Sequence, residues 1–489
     1  MKTQFTILLV LGCFILQGQN FSDALRYSQT LVSGTARTVG VGAAYSSLGA
    51  DFSVLSINPA GLATYRKSEI VVTPSLFFGT DEASFIGGGT EESKSNTKFF
   101  LDNIGFVKAG RTHPASSWKT SNWAIGINRI AEFDEQFSYS GSTQGSITDR
   151  WYTQSIGLAP DQLDNFELGP AFDAEAIYEW DATIMDYLRD IESTDIIDKN
   201  QTVERDGGIY ELVLGWAGNY NEKFSIGLGV GIPFVAYEES KNYQESDDQD
   251  AIPVFNALRF QENLAVSGTG INFKIGTIIH PNRKIRFGIS AESPTFYSIT
   301  EDFSTVVGYS YTFDNETVTR NESSPDGTYS YSLRTPWKAN AGLSYLFSLD
   351  NLNGFLSASV DYKNYGAANF GFDDDPTAQV TENANIDFQL GSALNYHFGG
   401  EVAISKLRLR SGLILEGSPF KVDKNTFNKI YSAGIGFRAS RFFIDAAYRL
   451  SSGSEGYAPY LIEPEDGNPQ NVLIDKNFNK FLLTLGYKL

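Results

Sequence analysis

From residue 68 onward, large apolar residues recur at every second position along most of the chain. In the stretch 224–234 the odd-numbered partners Ser225, Gly227, Gly229, Gly231 and Pro233 are small, while Phe224, Ile226, Leu228, Val230, Ile232 and Phe234 are large and apolar. Only a two-residue period produces that pattern, so the segment reads as a strand with one greasy and one small face. Tyr210, Leu212, Leu214 and Trp216 repeat the pattern, and so do Ile285, Phe287, Ile289 and Ala291, set against Arg286, Gly288, Ser290 and Glu292. The same reading predicts strands at 68–79, 99–111, 121–138, 207–219, 222–238, 266–280, 283–298, 327–347, 352–367, 385–399, 403–417, 427–439, 440–452 and 478–489. That makes fourteen, with 327–347 counted as one strand.

The connections alternate in length. Short ones are expected at Thr112 to Thr120, Tyr220-Asn221, Pro281-Asn282, Ser348 to Asn351, Gly400 to Val402 and Ala439 to Arg441. Long ones fall at 80–98, 139–206, 239–265, 299–326, 368–384, 418–426 and 453–477. Tight turns at one end and large loops at the other are the mark of an up-and-down barrel in an outer membrane. A closed barrel also pairs the last strand with the first, which a long apolar edge at 478–489 requires. In the largest loop, 139–206, the middle from Asp161 to Asp190 carries apolar residues at approximately helical spacing and predicts short helices over the barrel mouth. A small satellite core and a ligand-gathering cap are both open readings of that loop.

The N-terminus differs from the rest. Residues 1–19 hold Lys2 and an apolar run from Phe5 to Leu16, too short to span a bilayer, and read as an export signal. The chain's single cysteine, Cys13, lies inside that run, so residues 20–489 form no disulfide. Between signal and first strand, residues 56–62 read Ser-Ile-Asn-Pro-Ala-Gly-Leu, a rigid turn placed before any sheet exists.

Composition sharpens the picture. A net charge of −20 argues against nucleic acid as a partner and against a basic patch for anionic lipid. Nothing after the signal approaches a transmembrane helix. Within strands, Arg286, Arg408, Arg410, Glu416, Asp445 and Arg449 alternate with apolar residues and are expected in the lumen, where they either form ion pairs or receive a ligand carboxylate. His113, His280 and His397 all fall at or near predicted short turns, and a solvated role outweighs a ligand role. The acidic runs Asp247 to Asp250 and Asp373 to Asp375 lack calcium-loop spacing. There is no nucleophile elbow, metal-spaced set or phosphate loop, so neither an enzyme nor a cofactor or metal is expected.

Three stretches carry a family resemblance. GTARTVGVGAAYSSLGADFSVLSINPAGLATYRKSEIVVTPSLFF (34–78), GINFKIGTIIHPNRKIRFGISAESPTFYSI (270–299) and Thr335-Pro336-Trp337-Lys338 resemble the FadL/TodX transporters of hydrophobic compounds, particularly members from the Bacteroidetes group. The resemblance implies a 14-stranded antiparallel transmembrane barrel over 67–489, in the outer membrane of a Gram-negative cell. It implies that residues 20–66 form a hatch in the lumen, with Arg37, Asn58, Pro59, Ala60 and Gly61 as its residues. It also implies a kinked third strand that opens a gap in the wall. Here the alternation breaks after Ile127, which makes Asn128, Arg129 and Phe133 the candidate kink, although a β-bulge leaves the same trace.

The implied function is passive uptake of hydrophobic small molecules, long-chain fatty acids or aromatic hydrocarbons, by a monomer set among membrane lipid and lipopolysaccharide. Alternatives are a barrel that shuttles exported proteins and a secreted all-β binding protein.

Overall fold

The computed structural model describes residues 20–489 except 31–33, 87–88, 114, 184, 350–351 and 463–469. The expected export signal, residues 1–19, lies outside the described residues.

Fourteen antiparallel strands close into one barrel. In chain order they are Glu69–Phe85, Glu92–Arg111, Trp118–Glu132 continued by Glu135–Gln144, Ile196–Tyr220, Phe224–Ser246, Phe255–Ile279, Ile285–Glu292 continued by Phe296–Phe313, Gly327–Arg334 continued by Lys338–Leu349, Leu352–Asn364, Ser392–Ile404, Leu407–Gly417, Phe427–Arg438, Phe442–Tyr457 and Val472–Lys488. Each pairs with its neighbour, and the last returns to the first in a register running from Glu69↔Lys488 to Phe85↔Val472. The pairing of last strand with first closes the barrel and removes the two outer edges an open sheet would leave in hydrocarbon.

Alternation sorts the side chains by face. Leu214, Leu228, Phe273, Ile275, Phe287, Ile289 and Leu356 stand outward and exposed, while Ser225, Asn272, Lys274, Ser290, Ser357 and Asp445 are buried on the inner side. The outward apolar positions of the fourth strand run from Tyr210 to Tyr220, and above them the outward face turns polar at Thr202, Glu204 and Asp206. A belt of that length suits the ~9–11 residues of a tilted membrane strand. The strands continue well beyond it at the long-loop end.

The seventh and eighth strands bend together. Each is interrupted by a proline, Pro294 and Pro336, which cannot donate to the ladder. Thr295 N donates to Thr335 Oγ1 (2.9 Å) and Thr335 N to Thr295 O (3.0 Å), which carries the pairing across the break. This is why the eighth strand counts as one strand in two pieces.

Several expectations need correction. The tenth strand begins at Ser392, not 385, because Pro376–Gln389 is a helix opened by Asp375, whose side chain accepts from Ala378 N, with Pro376 in its first turn. Its turn lies at Ser405-Lys406, with Ser405 at φ 52°, so Gly400 to Val402 is strand. In the large loop the longer helix is Ile147–Ser155, capped by Ser146 and Asp149; the Asp161–Asp190 region supplies only Pro160–Gln162, Leu168–Asp173 and a small hairpin, Tyr178–Asp181 with Asp186–Leu188. These pieces share a satellite core around Trp151, Ile177, Tyr187, Tyr243, Phe260 and Tyr309. Trp151 Nε1 and Arg150 both donate to Glu167, whose carboxyl burial pushes upward despite the arginine.

The membrane belt is testable by position. Leu214→Arg should cost about 2–4 kcal/mol in chemical unfolding from vesicles, whereas Thr202→Arg, on the same face above the belt, should cost close to nothing.

Candidate functional site

The inner wall contacts three things: the N-terminal segment, a charged cluster and an apolar cluster. Residues 34–65 lie against the inward face of the strands. Asn58 is fully buried, and its Nδ2 donates to Ser46 O (2.6 Å), Thr277 O (3.2 Å) and Ile289 O (3.4 Å), while its Oδ1 accepts from Ala60 N (3.1 Å). Pro59 opens the 3-10 turn Pro59–Thr64, which the Asn58 side chain caps. This turn sits on the short-connection ends of the fifth and sixth strands, where the wall carries glycine. A Cβ on Gly227 would lie 2.3 Å from Ala60 N, and one on Gly276 would lie 2.0 Å from Asn58 Oδ1. The small face of the fifth strand is thus the seat of Asn58, Pro59 and Ala60.

Strand side chains tie down the rest of the segment through its carbonyls. Asn122 Nδ2 donates to Leu62 O (2.8 Å), Thr120 Oγ1 to Ala63 O (2.8 Å) and Ser290 Oγ to Ile57 O (2.7 Å). His397 is not the solvated turn residue expected: it is buried in mid-strand, with Nδ1 2.9 Å from Gly42 O and Nε2 3.4 Å from Asp361. His113 is exposed, and His280 sits half-buried at its turn.

Arg37 joins the segment to the wall electrostatically. Its Nε and Nη2 reach both oxygens of Glu401 at 3.1 and 3.0 Å. Glu401 also accepts from Arg410 Nε (2.6 Å), Arg410 Nη1 donates to Asp445 (2.7 Å), and Asp445 accepts from Arg438 (2.7 Å). Arg410 and Asp445 side chains are fully buried, so each charge depends on its partner. Arg408 does not join this chain of charges; its Nη1 donates to the carbonyls of Ser405 and Leu407. Arg286 faces inward, and among the described residues it forms no ion pair. Arg449 lies elsewhere, 3.3 Å from Glu132.

The third strand is broken where the alternation fails. Its register against the fourth strand slips between Arg129 and Ala131, and Phe133 N donates to Gly207 O. Asn128 is the last residue paired with the second strand, through Asn103; its Nδ2 donates to Ser56 Oγ (2.8 Å). Beyond it the second strand, from Glu92 to Asp102, has no third-strand ladder partner, because the continuation Glu135–Gln144 pairs with the fourth strand. A single bridge, Thr90↔Ser140, closes the opening at its far end.

Side chains alone span this window. Lys98 reaches Asp134 (3.2 Å) and Asp206, Arg129 pairs with Asp134 (2.7 Å) and lies 3.4 Å over the Phe100 ring, and Lys480 holds Asp102 (2.9 Å) and Glu132. Phe133 turns inward and packs edge-on against Tyr27 and Tyr237.

Phe133 thereby touches the apolar cluster, which sequence reasoning missed. Ile130, Ile209, Val235, Tyr237, Val266, Tyr297, Ile299, Tyr331 and Leu333 form it from the third to the eighth strands, with Phe370 and Phe372 from the connection after the ninth. Helix α1 (Phe21–Ser28) lies in its midst, with Ala24, Leu25 and Tyr27 buried and Phe21 packed at the margin. Asn20 and Asp23 form a reciprocal capping box at its start. Asn-x-x-Asp at 20–23 was a legible signal for this helix.

No described family profile and no curated protein matches the sequence. The likeness lies in the structure. A Pseudomonas aeruginosa FadL homologue superposes with a TM-score of 0.54 at 12% identity, covering 94% of this chain and 99% of that one. The Pseudomonas putida toluene transporter TodX gives 0.52 at 10% identity with the same coverage. The Ralstonia pickettii toluene transporter TbuX gives 0.50 at 13%, again over 94% and 99%.

The fold is that of the FadL/TodX barrels. At such identities the shared property is the architecture, and the side chains described above belong to this chain. Among the described residues no group of histidine, cysteine and carboxylate side chains could hold a metal ion.

The Arg37–Glu401 contact predicts how the FadL/TodX-like barrel grips its N-terminal segment. With no cysteine in residues 20–489, a cysteine placed at the buried Val39 is a clean probe. Glu401→Ala leaves Arg410 and Arg37 without that carboxylate and should raise maleimide labelling at position 39 by about tenfold or more, since breaking a buried pair costs ~3–5 kcal/mol; Arg408→Ala should leave labelling unchanged.

Proposed function

We propose that this protein is an outer-membrane channel for passive uptake of hydrophobic small molecules, with residues 20–66 as its hatch. The observation that carries the reading is the apolar, aromatic-rich cluster on the inner side of the wall around helix α1. A water-filled pore gains nothing from Tyr237, Tyr297, Tyr331, Phe370 and Phe372 turned inward. A compartment that takes apolar molecules out of water does, because such sites are mostly apolar with few polar groups.

The rest of the interior gives the cluster a way in and a way out. Residues 34–65 fill the short-turn end of the lumen, so straight passage needs that segment to move. The window beside the third strand lies next to Phe133, which already belongs to the cluster's margin. A molecule in the cluster therefore has a sideways exit that crosses no ladder hydrogen bond, only side-chain contacts: those of Lys98, Arg129 and Lys480 and the hydrogen bonds from Ser138 and Ser140 to Glu92. The names of the superposed transporters, a FadL homologue and two toluene transporters, agree with this reading. A secreted binding protein does not account for the outward apolar belt, and a protein shuttle does not account for a small-molecule-sized apolar cluster.

Uptake of labelled oleate and toluene in cells with and without the protein is the direct test. Loss of the protein should reduce the uptake of at least one; unchanged rates for both count against transport. Cysteines at Lys98 and Asp206, bridged by a short bifunctional reagent, should lower uptake to the rate of cells lacking the protein. Full uptake after bridging would exclude the wall window as the exit.

A further inference from the structure

We infer that the outward face of the sheet above the membrane belt binds the neutral oligosaccharide of a glycolipid anchored in the same leaflet, through sugar hydroxyls and not through phosphate. This site lies outside the lumen and does not depend on uptake. One polar row crosses the face from strand to strand. Thr90 bridges to Ser140, Ser140 pairs with Asn200, Asn200 with Gln244, Gln244 with Arg259, Arg259 with Gly308 and Gly308 with Asn321. The third to seventh strands and the short strand Glu316–Ser323 thus set their outward residues in line, about 24 Å from Ser140 to Asn321 at the usual strand spacing. The next row toward the loops, from Asp198 through Ser246 and Ser310 to Thr319, is also polar.

A barrel's outer surface is convex, yet this row lines a cavity of about 710 Å³. The sheet is free to twist and curl here because its closure lapses above the belt: the chain ahead of the second strand meets the continuation of the third through Thr90↔Ser140 alone, and among the described residues Glu316–Ser323 pairs only with the seventh strand. The lining is amide and hydroxyl. Asn200, Gln244 and Asn321 are exposed, and among the described residues their side chains make no hydrogen bond. Arg259 Nε donates to Asn242 Oδ1 (3.2 Å) and its Nη2 to Gln261, so two neutral amides hold the guanidinium along the face. Tyr309 turns its ring inward and donates to Asp190 (2.7 Å), which leaves the cavity its backbone. Side-chain amides offer both donors and acceptors, as a sugar hydroxyl requires of its partner. Two carboxylates in the lining, Asp198 and Asp248, against one arginine make it a poor seat for phosphate.

Position names the source of the sugar. Asn200 stands on the same outward face of the fourth strand as Leu214, ten residues beyond the end of the belt at Tyr210. Ten residues of tilted strand rise roughly 25 Å. The head-group layer is only ~5–8 Å thick on each side, so of the molecules packed around the belt a glycolipid alone extends to this height, by its sugar chain. The trough continues the lipid-facing surface without a break, which presents it to that chain. An open trough with no ring to stack on holds a sugar weakly, and tethering compensates, because an anchored chain stays at a millimolar effective concentration that a free saccharide lacks.

The test reads maleimide labelling of Thr319→Cys, an exposed residue of the cavity lining in a chain whose residues 20–489 hold no other cysteine. The purified protein is placed in phosphatidylcholine vesicles alone, with lipopolysaccharide carrying its core oligosaccharide, or with lipopolysaccharide truncated to lipid A and its innermost acidic sugars. A site of ~1 mM Kd facing ~4 mM tethered sugar is about four-fifths filled, so the full glycan should slow labelling about fivefold and the truncated one hardly at all. Ser454→Cys, exposed on the thirteenth strand and outside the cavity, should label at one rate throughout. Adding Gln244→Ala and Asn321→Ala to Thr319→Cys should restore the faster rate; both replaced side chains are exposed, and heat-modifiable migration on a gel checks that the barrel has closed. Released core oligosaccharide at ~0.1 mM fills about a tenth of such a site and should slow labelling less than twofold. Equal slowing at positions 319 and 454 is crowding by a sugar layer and overturns the site, as does no slowing by the full glycan or slowing that survives the two alanines. Slowing by the truncated form to the same extent overturns the choice of sugar over phosphate, and fivefold slowing by the released oligosaccharide overturns the anchored source.

Discussion

A peptide group in the hydrocarbon layer has no water to bond to, so every strand must find a strand on each side, and the sheet must close. In this protein the closure is made by Glu69–Phe85 against Val472–Lys488, residues about 400 positions apart. The other features follow from it. A closed barrel of fourteen strands leaves a lumen wider than its own side chains fill, and residues 34–65 pack against inward-facing side chains of the wall. Beside Glu92 to Asp102 the ladder lapses, and that stretch is bounded by backbone pairing at both ends and spanned by ion pairs.

The inner surface divides the labour between two chemistries. Where the segment 34–65 rests, the wall offers glycines for close approach and hydrogen-bonding side chains aimed at main-chain carbonyls. Where it needs a firm hold, Glu401 takes two arginines, one from each side of the contact. Buried ion pairs of this kind add little net stability over apolar packing, but they penalise a wrong arrangement heavily, because a stranded charge is far costlier than a stranded methyl group. Such a contact specifies position.

The apolar cluster follows the opposite logic. Helix α1 is held there chiefly by buried apolar area, with the Lys363–Ser28 hydrogen bond and the Arg26 guanidinium over the Tyr237 ring as its directional contacts. Phe133 couples this compartment to the window, since the ring that packs on Tyr27 and Tyr237 belongs to the residue at which the third strand breaks. Occupancy of the cluster and the shape of the wall are therefore linked through one side chain.

Much of this architecture was written in local pattern. The alternation of Phe224 to Phe234 with glycines assigned the strand and its faces, because a two-residue period is a property of the extended backbone alone. The same alternation yielded fourteen strands, the connection lengths an up-and-down order, and the failure of alternation after Ile127 marked the broken strand. Arg410 and Asp445 were legible as inward charges for the same reason. Local pattern was weakest where short-range signals competed: the helix at Pro376–Gln389 was read as loop to 384 and as the start of a strand from 385, and His397, two residues from Gly399-Gly400, was mistaken for a turn residue. What only the tertiary structure decided was partnership. That Arg37 meets Glu401 across 364 positions, that Ser28 caps Lys363 across 335, and that tyrosines of the fifth, seventh and eighth strands converge on α1 depend on which strands lie face to face around a closed lumen. Sequence periodicity assigns a side chain to a face; the curvature and closure of the sheet decide what it finds there.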